Sequence, residues 1–435
     1  MRAVQRHVQQ VDSETVGSYI NTKKRKFSML PIQLESHWLL ATSYALGLYA
    51  STLVVAYLLI QLPFVAAQVT SAQGRYGALD GFRGVLAVGV FVHHSFAAYG
   101  YFITGRWEWS SSPVLNHLGQ TTVALFFMIT GFLFTLKSMS PTIDWKALYV
   151  SRFARLSPLY ALIVCVIFAT VFVLSGGVLR ESGAVLLREF LQWLAFVCFG
   201  RPDINALPMT WTLIAGVNWS LRYEVAFYVG AVPVLYLLSR MFSPRALFLG
   251  SLALLVVMLV LRGAMRQESG HGLYATHFLG GIVAAYAYRQ PRIGQLIRTR
   301  FFRFLAGTSV AILLFFENSY GYQSVIVTVL IFLGVVGGLS GFGLLHTRAA
   351  LWLGDISYGI YLIHGLVLWT TLSALKAAGT LESIDLVHYA GLMACVGAAV
   401  TGLASLSYIC LEKPVMERAG QWGRLRRAPR SFKAV

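Results

Sequence analysis

Apolar runs of helical length recur along the chain from residue 38 to residue 411. They cover 38–67, 79–99, 121–138, 156–175, 218–239, 246–262, 273–289, 303–316, 324–342, 350–374 and 387–411. A helix rises about 1.5 Å per residue, so crossing a hydrocarbon layer of about 30 Å takes about 20 mostly apolar residues. A further stretch, 187–200, is short and opens near Arg188 and Glu189, so it either spans or lies in the interface. The pattern predicts an all-α integral membrane protein. A ten-span helical core (75–415) follows an extra N-terminal hydrophobic segment (36–70) and a polar, flexible extension (1–35), and a basic tail (416–435) closes the chain. No repeat of 20–50 residues is visible, and no soluble domain is appended.

Loop charge decides how these spans alternate, because Lys and Arg concentrate in cytoplasmic loops. The strongest basic segments are 137–155 (Lys137, Lys146, Arg152, Arg155), 289–303 with five arginines, and the tail from Lys413 to Lys433 with seven basic residues. The poorest are 100–120, 317–323 and 376–386. If 187–200 does not cross, all three basic segments fall on one side and all three poor ones on the other. If it crosses, the five arginines clash with the 137–155 loop. The first case is the expectation, with 137–155 and the C-terminus cytoplasmic. The segment 38–67 breaks the consistency. As one extra span it puts Lys23, Lys24, Arg25 and Lys26 on the far side, so it is either re-entrant or doubled, or the basic cluster is tolerated outside.

Composition excludes a water-soluble fold. Of 435 residues 57% are apolar and 12% charged, against roughly 25% charged in soluble proteins, and the mean hydropathy is +0.66. The 14% aromatic content excludes a disordered chain. The net charge of +18 is accordingly assigned to membrane loops before nucleic acid. Cys165, Cys198, Cys395 and Cys410 lie within apolar runs, outside any CxxC spacing, and read as small hydrophobes rather than zinc ligands or disulfide partners. No metal is expected.

Ionisable residues in lipid are costly, by about 2.5–3.5 kcal/mol on insertion scales, and are functional candidates by default. In LDGFRGVLAVGVFVHHSF, Arg83 and His94 are eleven residues apart. That spacing puts them on one helix face, about 16 Å apart along the axis, with His93 turned away by about 80°. A cation near the cytoplasmic end is thus followed by a titratable imidazole further in. The bland alternative is that both histidines merely hydrogen-bond neighbouring helices. Arg152 and Arg155 share a face at a helix start, where they suit bidentate binding of a phosphate or pyrophosphate. Orientation alone also explains basic residues there. Ser220, Glu224 and Phe227 share a face. Glu224 is expected to enter from the outer leaflet side, opposite the arginines, and its alternative role is a structural ion pair. Thr130, His277, and the stripe Asp355, Ser357, Tyr358, Tyr361 and His364 are assigned to helix packing or interhelical hydrogen bonding. The sequence holds no GxxxxGK[ST], HExxH or GxSxG motif.

The ordered motifs resemble those of the acyltransferase-3 family of membrane O-acyltransferases, which modify bacterial surface sugars and some small molecules. The likeness rests on LDGFRG…HH (79–94), FFMITGFLF (126–134), SRFARLSPLY (151–160), NWSLRYEVAFY (218–228), ISYGIYLIH (356–364) and YICLEKP (408–414), and covers residues 75–415. The resemblance implies transfer of an acyl group, acetyl being expected, from acyl-CoA to a hydroxyl of a carbohydrate or related acceptor. It implies His94 as general base, Glu224 as its orienting or charge-stabilising partner, and a channel in which Arg152 and Arg155 hold coenzyme A phosphates while Arg83 steadies the donor. A bacterial inner (plasma) membrane location goes with it. Thr130 stands where the family often has serine, which keeps a hydroxyl, and no esterase-like domain follows the core. A proton-coupled transporter also uses buried His, Glu and Arg, but would often carry internal repeats. A scaffold protein has no reason to place arginine and histidine on one face of a lipid-embedded helix.

Overall fold

The computed structural model describes residues 38–69, 77–110, 112–265, 271–316 and 320–425. The expected extension 1–35, the basic cluster at 23–26 and the last ten residues lie outside them. Among the described residues the structure is all-helical, with a single isolated bridge between Ile204 and Leu207.

Eight helices among the described residues are long and apolar enough to cross a membrane. They are α1 (Trp38–Leu59), α2 (Gly77–Thr104), α3 (Pro113–Ser138), α4 (Trp145–Leu174), α6 (Trp219–Met241), α7 (Pro244–Ala264), α12 (Ser357–Ala377) and α13, which runs from Leu386 through a π-helical turn at Tyr408–Glu412 into α14 (Lys413–Leu425). This is an all-α integral membrane protein. Between them lie α5 (Gly183–Leu194), α8 (His271–Arg289), α9 (Arg300–Leu313), α10 (Tyr322–Val336) and α11 (Arg348–Asp355). With 12 residues, α5 is about 18 Å long, too short to cross. The three expected spans at 273–289, 303–316 and 324–342 correspond to helices of 19, 14 and 15 residues. The segment 38–67 forms one 22-residue helix, followed after a break at 60–62 by the short helix Pro63–Ala66. It is not doubled.

Burial separates the centre from the rim. In α2 and α3, 78% and 83% of the apolar stretch is buried inside the protein, against 17% in α7. Leu249, Leu254, Val257 and Val260 on α7 are exposed, as a lipid-facing helix requires. The basic segments share one end of the bundle. Arg240, at the close of α6, donates to the carbonyls of Ser138 and Ser140. Tyr288 packs on Phe132, 6.0 Å between ring centroids, and Lys413 Nζ donates to the Gln68 carbonyl at 3.4 Å. α1 starts at the other end, where Tyr44 and Ser95 share a 2.7 Å hydrogen bond. At that other end, Asp385 caps α13, and hydrogen bonds from the His388 amide and imidazole hold its carboxyl below its usual pKa.

α3 and α8 cross at backbone distance. A Cβ on Gly131 would overlap the Phe278 carbonyl, and one on Gly281 would overlap the Met128 carbonyl. Small residues let membrane helices approach at backbone distance. Gly281→Val is expected to destabilise the protein by about 1–3 kcal/mol, as overpacking does. The check is a lower midpoint of thermal unfolding by gel filtration of the detergent-extracted protein.

The segment joining α5 to α6 folds inward rather than crossing. Buried Asn205 donates to Ser175 Oγ (3.0 Å) and the Val178 carbonyl (2.9 Å), and its Oδ1 accepts from the Arg180 amide at 2.7 Å. Asn205, Ala206, Met209 and Ala215 all hold left-handed φ values between 51° and 59°, a conformation that costs about 1 kcal/mol or more per non-glycine residue. That strain is offset by these hydrogen bonds and by the packing of residues 210–214 on α12, where Gly365 leaves room for the Ile214 backbone.

Candidate functional site

A cavity of about 230 Å³ opens between α2, α3, α4, α6 and α12. Its walls are apolar at Phe126, Phe127 and Leu133, and charged where Arg83, Arg152, Arg155 and Glu224 meet. Arg83 comes from the first turns of α2 and donates to Ser357 Oγ at 3.3 Å, with Asp80 at 3.8 Å. Arg152 and Arg155 come from α4, where Asp144 caps the helix by accepting from the Ala147 amide at 2.9 Å. The Arg152 guanidinium lies over the Phe134 ring, 5.1 Å from its centroid. The Arg155 Nη2 is buried with no hydrogen-bond partner, an arrangement that is rare unless a ligand or water completes it. Three guanidinium groups and one carboxylate on its walls give the cavity a surplus of positive charge, suited to an anionic group.

Glu224 stands among the arginines, not opposite them. Its carboxylate accepts from Thr130 Oγ1 at 3.3 Å and Tyr228 OH at 3.5 Å. The expected pairing with His94 is absent. The physical reason lies in the inward-folded segment before α6. The helix begins at Trp219 already inside the protein, so Glu224, more than a turn later, reaches the level of the cationic cluster. The π-helical turn Phe227–Ala231 follows at once, and such turns often sit at functional sites.

His94 lies apart from the cavity, which ends at Val123, Ser220 and Tyr361. Tyr361 OH donates to the Val217 carbonyl at 2.9 Å and pairs with Ser220 Oγ at 2.7 Å. Its ring touches that of His364, 6.3 Å between centroids. The rings of His364 and His94 lie 5.1 Å apart between centroids, with His94 Nδ1 2.9 Å from His364 Nε2. Arg83, Arg152, Arg155 and Glu224 are therefore brought together, whereas His94 sits one layer of side chains beyond them. His94 is partly exposed although it does not line the arginine cavity. On its other side stands Trp107, 5.9 Å between ring centroids, which in turn meets Trp211 at 5.4 Å. His93 donates from Nδ1 to the Leu115 carbonyl at 2.8 Å and ties α2 to α3.

The family model of the acyltransferase domain in the acyltransferase-3 group matches residues 76–408, more than half of the chain. The chain belongs to that family. It is an acyltransferase of groups other than aminoacyl groups, and its reaction needs an acyl donor and a hydroxyl acceptor at the membrane. No curated protein and no solved structure matches the chain. Among the described residues of this acyltransferase, no cluster of three or more His, Cys, Asp or Glu side chains forms a metal site.

Two residues of the site had weak signals in the sequence. His364 and Tyr361 belong to a polar stripe on an apolar helix, a pattern that packing alone also produces. Trp107 and Trp211 fall in connecting segments with no periodicity to announce them.

Proposed function

We propose that this protein is a membrane O-acyltransferase that moves an acyl group, acetyl by expectation, from acyl-CoA to a hydroxyl of a carbohydrate, with His94 as general base. The observation that carries the reading is the gathering of Arg83, Arg152 and Arg155 in one cavity, with a buried unpartnered Arg155 Nη2, on the helix face that leads to His94. Arg152 and Arg155 would hold the phosphates of the donor, and Arg83 would fix its arm. Glu224, within the cationic cluster, would offset part of the mutual repulsion of the guanidinium groups.

Hydrogen bonding supports the base assignment. A carbonyl only accepts, so His364 carries its proton on Nδ1, which faces the Ile360 carbonyl at 2.9 Å. In the neutral pair His364 Nε2 is then an acceptor, and His94 donates to it from Nδ1. The His94 Nε2 lone pair is left available. His94 Nε2 takes the proton of the acceptor hydroxyl as its oxygen attacks the thioester carbonyl carbon. The carbon–sulfur bond breaks, and the His94 imidazolium returns the proton to the departing thiolate. Base help of this kind supplies about 10²–10⁴-fold. Tyr361 closes the cavity toward His364, so the reading requires its ring to move when the donor arm is seated. The acceptor would approach His94 from the side of Trp107, the end opposite the basic segments. A bacterial inner membrane, with the C-terminus in the cytoplasm, would present the arginine cavity to cytoplasmic acyl-CoA.

The test is thiol release from acetyl-CoA by the purified protein, with and without a panel of methyl hexopyranosides. Release that depends on the hydroxyl compound, with ester mass gained on it, is the expected result. A transporter releases no thiol.

A further inference from the structure

We propose that His364 is a positioning residue, which holds His94 in the one tautomer whose Nε2 can act as a base. The proposal rests on the base role given to His94 above. Its geometry is closed on three sides. His364 is fully buried, its Nδ1 proton is committed to the Ile360 carbonyl one turn back on α12, and its Nε2 faces His94 Nδ1 at 2.9 Å. The ring planes are nearly parallel, 15° apart. An isolated imidazole places its proton on either nitrogen, and the partner of one nitrogen decides the state of the other. Among the described residues no carboxylate bonds to the pair: the partners of His94 and His364 are each other and backbone groups of α12, the Ile360 carbonyl first. The other groups facing them are His93, 5.0 Å from His94 between ring centroids, Trp107 and Tyr361.

A neutral imidazole as orienting partner differs from a carboxylate in its consequence. It fixes the proton on Nδ1 without adding a charge in a segment where charge is costly. When His94 takes the acceptor proton, both its nitrogens carry hydrogen, and the Nδ1–H···Nε2 bond becomes charge-assisted and stronger. The partner thus favours the protonated intermediate state of the base more than its resting state, which is how an orienting group accelerates the reaction.

The experiment has two arms. His364→Leu removes the acceptor nitrogen at similar bulk, and His364→Gln offers Oε1 where Nε2 stood. Acetyl transfer to a methyl hexopyranoside is followed in folded, monodisperse protein. His364→Leu is expected to lower kcat about a hundredfold, within the range a general base supplies, with the KM for acetyl-CoA unchanged, and His364→Gln to restore kcat to within about tenfold of the parent. In the second arm, nitrogen-15 spectra of histidine-labelled parent protein, with His94→Gln used for assignment, are expected to show His94 protonated on Nδ1 and bare on Nε2. Full activity in His364→Leu, or a resting His94 that carries its proton on Nε2, overturns the proposal. Should His364→Leu fail to fold, the spectrum of the parent decides alone. Full activity in His94→Ala would instead remove the base role itself, a result the spectra do not depend on.

Discussion

His94→Ala is expected to reduce acyl transfer by about 10²–10⁴-fold, the share a general base supplies, in protein that still inserts and runs as a single species. The loss should fall on kcat and on kcat/KM alike, because proton removal is needed only as the transition state forms. The donor cavity is built by Arg83, Arg152, Arg155 and Glu224, and His94 does not line it, so the KM for acetyl-CoA should stay near the parent value. Folding should be little affected, since the one hydrogen bond lost is that to His364. The measurement is steady-state transfer of labelled acetyl to a methyl hexopyranoside, beside a thermal unfolding midpoint. An intact kcat in folded protein would end the base assignment. His93→Ala is the informative contrast. It breaks the tie from His93 Nδ1 to the Leu115 carbonyl and should lower stability more than turnover.

The contrast between adjacent histidines shows where sequence reasoning reached and where it stopped. Arg83 and His94 could be placed on one face because both belong to a single uninterrupted helix, Gly77–Thr104, and helical geometry carries that far. Arg152 and Arg155 joined Arg83 for the same reason: each sits near the basic end of its helix, and the charges of the loops had already set those ends together. The short stretch 187–200 was legible as non-crossing from the clash of loop charges alone, and the 12-residue α5 agrees with it. Glu224 was put on the wrong side. Its position depends on how far the preceding segment folds inward, and that segment relies on left-handed residues such as Asn205 and Met209 and on hydrogen bonds to Asn205 from residues 24 and 25 positions earlier. Local periodicity carries no trace of these. His364 was read as a packing or interhelical hydrogen-bonding residue without its partner, because that partner is 270 residues away and a histidine in a polar stripe looks the same whichever residue it meets. The number of crossings depended on helices of 14 and 15 residues, whose apolar runs continue into turns that length alone does not reveal.

The second large effect belongs to the arginine pair. In Arg152→Ala/Arg155→Ala the KM for acetyl-CoA is expected to rise roughly a hundredfold or more, since hydrogen bonds to charged groups contribute about 1.5–3 kcal/mol each and 1.4 kcal/mol is tenfold. kcat at saturating donor should stay within about tenfold, because phosphates held far from the reacting carbon are held as firmly in the ground state as in the transition state. Arg155 should matter more than Arg152 when each is changed alone. Its Nη2 is buried without a partner, whereas the Arg152 guanidinium already rests on Phe134. Lysine at either position keeps the charge but loses the planar fork, so Arg155→Lys should recover only part of the affinity. Glu224 supplies the internal control. Glu224→Gln removes the one carboxylate from the cavity wall while keeping its acceptor oxygen for Thr130, which raises the positive surplus. If the arginines bind an anionic donor, that change should hold or lower the KM for acetyl-CoA rather than raise it. An unchanged KM in the double alanine variant would place the donor elsewhere and leave the three guanidinium groups as elements of helix packing.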